Sequence, residues 1–191
     1  MRQSKNKTLL ILILLLAFVS CGKAPVPKPR GYYRIDLPEA SYHRFYQKDF
    51  PYSFCISDYS YIKAHDTNER YWIDVIYPKW GAAVHCSYKK INNNLDQLTN
   101  DAFDFVYKHA GKATAIPELE YANEEEHVYG IFFELHGNTA SPYQFYLTDS
   151  ATHFFRGATY FNAIPNQDSL QPIVDYLQAD IKQMIETFKW Q

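Results

Sequence analysis

The sequence holds 191 residues with a formal net charge of −2, and 17% of its residues are aromatic. Residues 1–20 contain three of the 19 basic residues and none of the 21 acidic ones, so the chain without them carries a charge of −5. An acidic chain lacks the basic surface that nucleic acid requires, and we therefore expect no nucleic-acid partner.

The N-terminal segment has the pattern of a signal peptide. Arg2, Lys5 and Lys7 precede an apolar run of eleven residues at positions 9–19. Such a helix rises about 16 Å, roughly half of the hydrocarbon core of a bilayer, and is too short for a comfortable transmembrane span. The small residue Ser20 follows the run. A basic start, a short apolar run and a small residue predict a cleaved signal peptide over residues 1–20.

Cys21 stands directly after the predicted cleavage site. The stretch Phe18-Val19-Ser20-Cys21 resembles a lipobox, although Phe18 replaces the usual Leu. In a lipobox the cysteine receives lipid chains, and each buried methylene contributes about 0.8 kcal/mol to membrane anchoring. We predict that Cys21 is lipidated and that residues 21–30, which contain three alternating prolines, form an extended tether. The alternative is an ordinary secretion signal that leaves Cys21 as a free thiol.

Residues 31–191 have the length of one globular domain. Alternating apolar side chains predict a strand, a turn and a strand over residues 50–65, and further strands near residues 71–77, 83–91, 127–136, 141–149 and 153–161. The connections between the last three predicted strands are short. Short connections are typical of antiparallel neighbours, so we expect an antiparallel meander.

Helical spacing of apolar residues appears twice. The first spacing predicts a helix after Asn94, with one face formed by Leu95, Leu98, Ala102, Phe105 and Val106. A second stripe begins after Asp168, with Pro172 expected in the first turn of its helix; it comprises Leu170, Ile173, Val174, Leu177, Ile181, Met184, Ile185 and Phe188. The order of strands, helix, strands and helix predicts an α+β fold, an antiparallel β-sheet packed by two main helices.

The remaining cysteines, Cys55 and Cys86, have two interpretations. Outside the cytoplasm they could form a disulfide that stabilises the fold by about 3–4 kcal/mol. The alternative is two separate thiols, each buried in a strand as a small apolar residue. The spacing alone does not decide between them.

Sequence motifs of catalysis and metal binding are absent. The seven histidines form no HExxH motif, the cysteines have no CxxC spacing, and no G-x-S-x-G elbow occurs. Ser141, Asp149 and His153 lie close in sequence, but they flank one hairpin and give no reason to expect a triad. We therefore expect a protein that is not an enzyme, with no cofactor and no metal.

The hairpin at residues 136–161 is rich in aromatic side chains and poor in charge. Strand alternation sends Tyr143 and Phe145 to one face and Gln144 and Tyr146 to the other. With Arg156 of the following strand, the second face has the Tyr and Arg composition of an interface. We predict a partner surface at Gln144, Tyr146 and Arg156. The alternative is that a helix covers this face.

Four stretches of the chain carry a family resemblance: PKPRGYYRIDLPE, FPYSF, YWIDVIYP and, most specifically, GNTASPYQFYLTDSATHFFRGATYF. In these stretches the chain resembles the gliding-motility lipoprotein GldD family of Bacteroidota. The strand–helix order also resembles the PsbP/Mog1-like sandwich in topology. The family resemblance covers the whole chain after Cys21, and it implies an accessory protein of gliding motility tied to type IX secretion, without known catalytic residues or cofactor.

The resemblance also bears on location and partners. Surface export of such lipoproteins usually needs acidic residues after the lipidated cysteine, and here Gly22-Lys23-Ala24 follow Cys21. We expect a periplasm-facing protein, in the outer rather than the inner membrane, whose partners are other proteins of the gliding and secretion machinery. The alternative function is a lipoprotein that binds a small ligand or a glycan on an aromatic platform.

The lipid anchor can be tested by Cys21→Ser. This substitution removes the thiol that receives the lipid, so the protein should stay uncleaved or become soluble. Fractionation and intact-mass measurement read out both effects. A variant that still sediments with membranes and still carries the mass of the acyl chains would contradict the lipobox interpretation.

Overall fold

The structure, a computed structural model, describes residues 35–65, 69–108, 110–162 and 167–191, with the backbone alone for residues 167–169. The predicted signal peptide, Cys21 and the tether lie outside the described residues. Within those ranges, no helix combines the length and the apolar character that a membrane crossing needs.

The described residues form two α-helices, α1 (Leu95–Tyr107) and α2 (Gln167–Glu186). They also form twelve β-strands: β1 (Tyr42–Phe45), β2 (Tyr52–Ser57), β3 (Tyr61–Ala64), β4 (Ile73–Tyr77), β5 (Ala82–Lys90), β6 (Ala113–Ala115), β7 (Glu118–Asn123), β8 (Val128–Glu134), β9 (His136–Gly137), β10 (Tyr143–Thr148), β11 (His153–Phe161) and β12 (Lys189–Trp190).

These strands form two main antiparallel sheets in the described part of the chain. The large sheet has the order β3-β4-β5-β11-β10-β8-β7, and the small sheet has the order β1-β2-β12. Strands β6 and β9 form a separate short ladder. The predicted α+β class, an antiparallel sheet packed by two main helices, is confirmed.

Helix α2 shares one core with strand β2 and one face of the large sheet. Leu177, Ile181 and Met184 of its apolar stripe are fully buried. The stripe that the sequence predicted is therefore the buried face of the helix. Pro172 is the sixth residue of α2 and lies inside it, so its predicted place in the first turn is wrong.

A cluster of aromatic rings joins the two sheets to the end of α2. The ring centroids of Tyr52 and Phe155 lie 4.7 Å apart, and those of Phe155 and Phe188 lie 5.0 Å apart. Phe54 stacks on Phe188 at 5.8 Å. Contacts of this geometry contribute about 0.5–1.5 kcal/mol each beyond the area they bury. The cluster therefore fixes the small sheet against the large one.

Helix α1 covers the opposite face of the large sheet. Leu98 and Val106 of the helix form a second core with Phe133, Tyr146 and Phe154 of the sheet. As a consequence, all six residues of β10 are buried. A strand that is buried on both faces lies in the middle layer of a sandwich.

Cys55 and Cys86 are both free in the structure, and the disulfide is not formed. Cys86 belongs to the main core. Cys55 lies between Phe54 and Ile56 on β2, and both of those side chains face that core. Because side chains alternate along a strand, the Cys55 side chain points to the opposite face. The arrangement is that of two separate thiols, although Cys55 is only half-buried. Burial raises the pKa of the Cys86 thiol above its ordinary value.

One carboxylate is enclosed in the contact between α2 and the strands. Asp180 is 2% exposed, and the Tyr42 hydroxyl donates a hydrogen bond to its Oδ1 over 3.0 Å. Burial raises the pKa of the Asp180 carboxyl above its ordinary value, although the hydrogen bond from Tyr42 acts in the opposite direction. The folded state therefore holds a proton on Asp180 more tightly than the unfolded chain does.

The core role of α2 can be tested by Leu177→Ala. Because Leu177 is fully buried, the substitution should lower the free energy of unfolding by about 2–4 kcal/mol. Denaturant melts measure this change. The matched control is Glu186→Ala, an exposed position of the same helix, which should change the stability by less than about 0.5 kcal/mol. Equal effects of the two substitutions would contradict the packing.

The buried carboxylate predicts a pH dependence that Asp180→Asn removes. The pKa of Asp180 is higher in the folded protein than in the unfolded chain, where it is about 3.9. The stability that this difference contributes is fully present below the unfolded pKa. It is lost as the pH rises through the folded pKa. The stability of Asp180→Asn relative to the natural protein should therefore increase as the pH rises above about 4. Chemical unfolding across pH 4–8 measures the difference. A difference that stays constant or falls with pH would contradict the raised pKa.

Candidate functional site

The residues predicted to form a partner surface lie beneath helix α1. Gln144 is 1% exposed, Tyr146 is 8% exposed and Arg156 is half-buried. Tyr146 and Arg156 are direct cross-strand partners, so they share one face of the sheet as predicted. Their predicted exposure is wrong, because the helix closes that face: the Phe103 ring centroid lies 6.4 Å from that of Tyr146.

Arg156 makes two interactions under the helix. Its Nη2 donates a hydrogen bond to Gln144 Oε1 over 2.6 Å, and its guanidinium carbon lies 4.4 Å from the centre of the Phe105 ring. Burial lowers the pKa of the Arg156 guanidinium from its ordinary value. The Nε2 of Gln144 has no hydrogen-bond partner among the described residues. The main structural role of Arg156 is therefore to donate a hydrogen bond to the buried side-chain amide of Gln144.

A cavity of about 250 Å³ opens beside Arg156, between α1 and the large sheet. We call it the histidine cavity. It combines cationic, imidazole and aromatic side chains, and its lining includes His65, Trp72, His85, Lys89, Phe105 and Arg156. A concave site with a few polar groups on an apolar wall is the usual form of a ligand pocket.

Three titratable side chains meet at the edge of this cavity because of the strand register. Asp74 on β4 lies directly across from His85 on β5. His65 follows β3, and its backbone N–H donates to the Trp72 carbonyl over 3.0 Å. Asp74 Oδ1 lies 2.6 Å from His85 Nδ1, and Asp74 Oδ2 lies 3.4 Å from His65 Nδ1. One buried carboxylate thus contacts two imidazoles.

These three residues were not grouped from the sequence, since Asp74 and His85 lie on two different strands and His65 lies just after a third. One signal was present. Asp74 interrupts the apolar strand YWIDVIY, and the next strand, AVHCSYKK, carries His85 at a polar position. Pairing the two strands about their short turn would have placed both residues on one face.

A second cavity, of about 240 Å³, lies between α2 and the loop that precedes β10. Its lining includes residues 134–140 together with Val174 and Gln178. The Nε2 of Gln178 donates to Glu134 Oε1 over 2.6 Å, and Lys182 Nζ lies 3.4 Å from the same oxygen. These contacts tie the helix to the end of β8, and the second lining carboxylate, Asp175, accepts a hydrogen bond from Gln171 Nε2 over 2.6 Å.

Ser141, Asp149 and His153 have separate structural roles. The Ser141 hydroxyl donates to the Tyr143 carbonyl over 3.5 Å. Asp149 Oδ1 accepts backbone N–H groups of the following turn, the shortest over 2.8 Å. His153 Nδ1 lies 2.7 Å from the Tyr88 hydroxyl, and burial lowers the pKa of this imidazole. The three residues do not contact one another as a triad.

The structural role of Arg156 leads to a prediction for Arg156→Ala. The substitution leaves the buried Gln144 amide without its partner, so the free energy of unfolding should fall by about 1–3 kcal/mol in denaturant melts. Arg70→Ala is the matched control. Arg70 also lies over an aromatic ring, that of Tyr71 at 5.4 Å, but its side chain is 66% exposed. Its removal should cost less than about 0.5 kcal/mol. Equal losses would contradict a buried role for Arg156.

Comparison with known proteins identifies the family to which the chain belongs. The family model described as gliding motility lipoprotein GldD matches residues 22–190. No match was found among the curated proteins. Among solved structures, the chain is similar to the solution structure of cyanobacterial PsbP (CyanoP) from Synechocystis sp. PCC 6803, at 11% identity and a TM-score of 0.47, covering 86% of this chain and 99% of that one. By the extent of the family match, this chain belongs to the gliding motility lipoprotein GldD family.

Proposed function

We propose that this chain is a membrane-anchored, periplasm-facing lipoprotein that acts as a non-enzymatic interaction component of the gliding apparatus and of the type IX secretion machinery tied to it. The family match over residues 22–190 carries the proposal. The match begins directly after Cys21, the residue whose sequence context predicts a lipid. We favour the outer over the inner membrane as the site of anchoring.

Exposed tyrosines offer a contact surface that does not require opening of the fold. Tyr59 is 40% exposed and Tyr61 is 50% exposed. Tyr61 begins β3, which pairs with β4 and is one of the two outer strands of the large sheet in the described part of the chain, the other being β7. An outer strand presents backbone groups that can pair with a partner's strand, and tyrosine often contributes strongly to binding energy. We infer that partners contact the protein along β3.

A second function, the binding of a small ligand, is favoured by the histidine cavity. Trp72 and Phe105 provide aromatic surface, Lys89 and Arg156 provide positive charge, and Asp101 provides one negative charge. A small polar or anionic molecule with a planar group fits this chemistry. Under this alternative the lipid would hold a binding protein at the membrane, and the exposed edge of β3 would have no role.

Crosslinking in native membranes, followed by purification and mass spectrometry, tests the proposed function. We expect gliding and secretion proteins to be enriched with the natural chain and depleted with Cys21→Ser, because the anchor brings the partners together. Tyr61→Ala should weaken this capture by about 1–3 kcal/mol in binding free energy at unchanged protein abundance. Tyr46→Ala, which removes a tyrosine that is 62% exposed and lies just after β1 of the small sheet, is the matched control.

Two outcomes would count against the proposal. If the natural chain captures none of these proteins, an interaction role in the machinery is wrong. If the chain instead retains a small molecule or polysaccharide, and Phe105→Ala abolishes that retention, the second function replaces the first. Capture that is equal for Tyr61→Ala and Tyr46→Ala would move the contact away from β3.

A further inference from the structure

We propose that His65, Asp74 and His85 bind one divalent transition-metal ion of the zinc type at the edge of the histidine cavity. The ligand atoms of these three side chains all lie within 4.8 Å of one another. Among the described residues this is the one group of its kind. The proposal is independent of the proposed role in gliding.

The strand register holds the carboxylate in place. Asp74 is 7% exposed and sits between Ile73 and Val75, which are both buried. A carboxylate in such a strand is costly unless charged or hydrogen-bonding groups surround it. The cross-strand neighbour His85 and the nearby His65 supply those groups. Their side chains are 45% and 35% exposed, so the imidazoles line a route from solvent to the buried oxygens.

The two separations between Asp74 and the imidazoles are close to those of a coordination sphere, and the separation between the two imidazoles is within 4.8 Å. A tetrahedral zinc ion with ligands at about 2.0–2.2 Å keeps its donor atoms about 3.3–3.6 Å apart. The 3.4 Å between His65 Nδ1 and Asp74 Oδ2 already has this value. The 2.6 Å between His85 Nδ1 and Asp74 Oδ1 must widen by under about 1 Å, which a small rotation of the half-exposed imidazole provides.

The donor set selects the class of ion. Two imidazoles and one carboxylate suit zinc, copper, nickel or iron(II), whereas calcium and magnesium prefer oxygen ligands alone. Three protein ligands leave a fourth position, which a water molecule or a ligand in the cavity can fill.

Two cations line the same cavity without competing for the carboxylate. Arg156 is engaged with Gln144 Oε1 at 2.6 Å. Lys89 lies four residues along β5 from His85, which is about 13 Å at the rise of a strand. Asp101 also lines the cavity, so its side chains outside the proposed site carry two positive charges and one negative charge. This balance favours an anionic over a cationic group at the fourth position.

Hydrogen bonding alone could also explain an aspartate between two histidines, and the protein contains a control for that explanation. His43 Nδ1 lies 2.6 Å from Asp58 Oδ1, the same separation as in the His85–Asp74 pair. Among the described residues, no third metal-ligating side chain lies close enough to His43 and Asp58 to complete a metal site. His43→Ala therefore removes an equivalent hydrogen bond without touching the proposed site.

Zinc binding by the full-length lipoprotein, purified in detergent, tests the proposal by competition with a chromophoric chelator. We expect one ion per chain. His65→Ala and His85→Ala should weaken binding by at least about 100-fold, since the loss of a ligand should exceed the 10–100-fold that outer-shell changes cause. His43→Ala should bind as the natural protein does. Cobalt substitution should give the visible absorption of a four-coordinate site without a thiolate charge-transfer band.

Three results would overturn the proposal. The first is the absence of stoichiometric binding by the natural chain, and the second is unchanged affinity in both His65→Ala and His85→Ala. The third is a thiolate band that disappears with Cys55→Ser or Cys86→Ser, which would assign the ion to a cysteine. If His85→Ala does not fold, His85→Gln, which keeps a polar partner for Asp74, replaces it and should show the same loss.

Discussion

The fold depends on a sheet that must be covered on both faces. Strand β10 shows this most directly, since its six residues, Tyr143–Thr148, are all buried. Tyr143, Phe145 and Leu147 pack with α2 and the small sheet in one core, while Tyr146 packs with α1 in another. If either helix were lost, one row of β10 would be exposed to water. The two helices are therefore equal requirements of the architecture.

Covering the second face encloses polar groups, and that produces the candidate site. A polar atom removed from water costs about 1–3 kcal/mol unless it finds a partner. Gln144 receives a hydrogen bond from Arg156, and Asp74 contacts His65 and His85. The histidine cavity lies where α1 leaves part of this layer open. The same enclosure that stabilises the fold thus concentrates polar side chains around one concave surface.

The sequence predicts the features that depend on local periodicity, but it does not show which face of the sheet a helix covers. The stripe of Leu177 and Ile181 was predictable because steps of three and four residues define a helix face. Alternation along β10 separated Gln144 from Phe145 but could not reveal a helix above the polar row. Strand β7 was missed because Glu118–Asn123 carries charged residues and lies mostly exposed at the sheet edge. The cluster around Asp74 required a register between three strands, which no single segment contains.

The architecture requires that α1 closes the face of the sheet that carries Tyr146. Tyrosine-directed labelling of intact membranes, read by mass spectrometry, tests it most directly. Tyr46 is 62% exposed and Tyr146 is 8% exposed, so the two residues report on an open and a covered site in one chain. We expect rapid labelling of Tyr46 and strong protection of Tyr146. Equal labelling of both tyrosines in the folded protein would show that this face is open and would contradict the account.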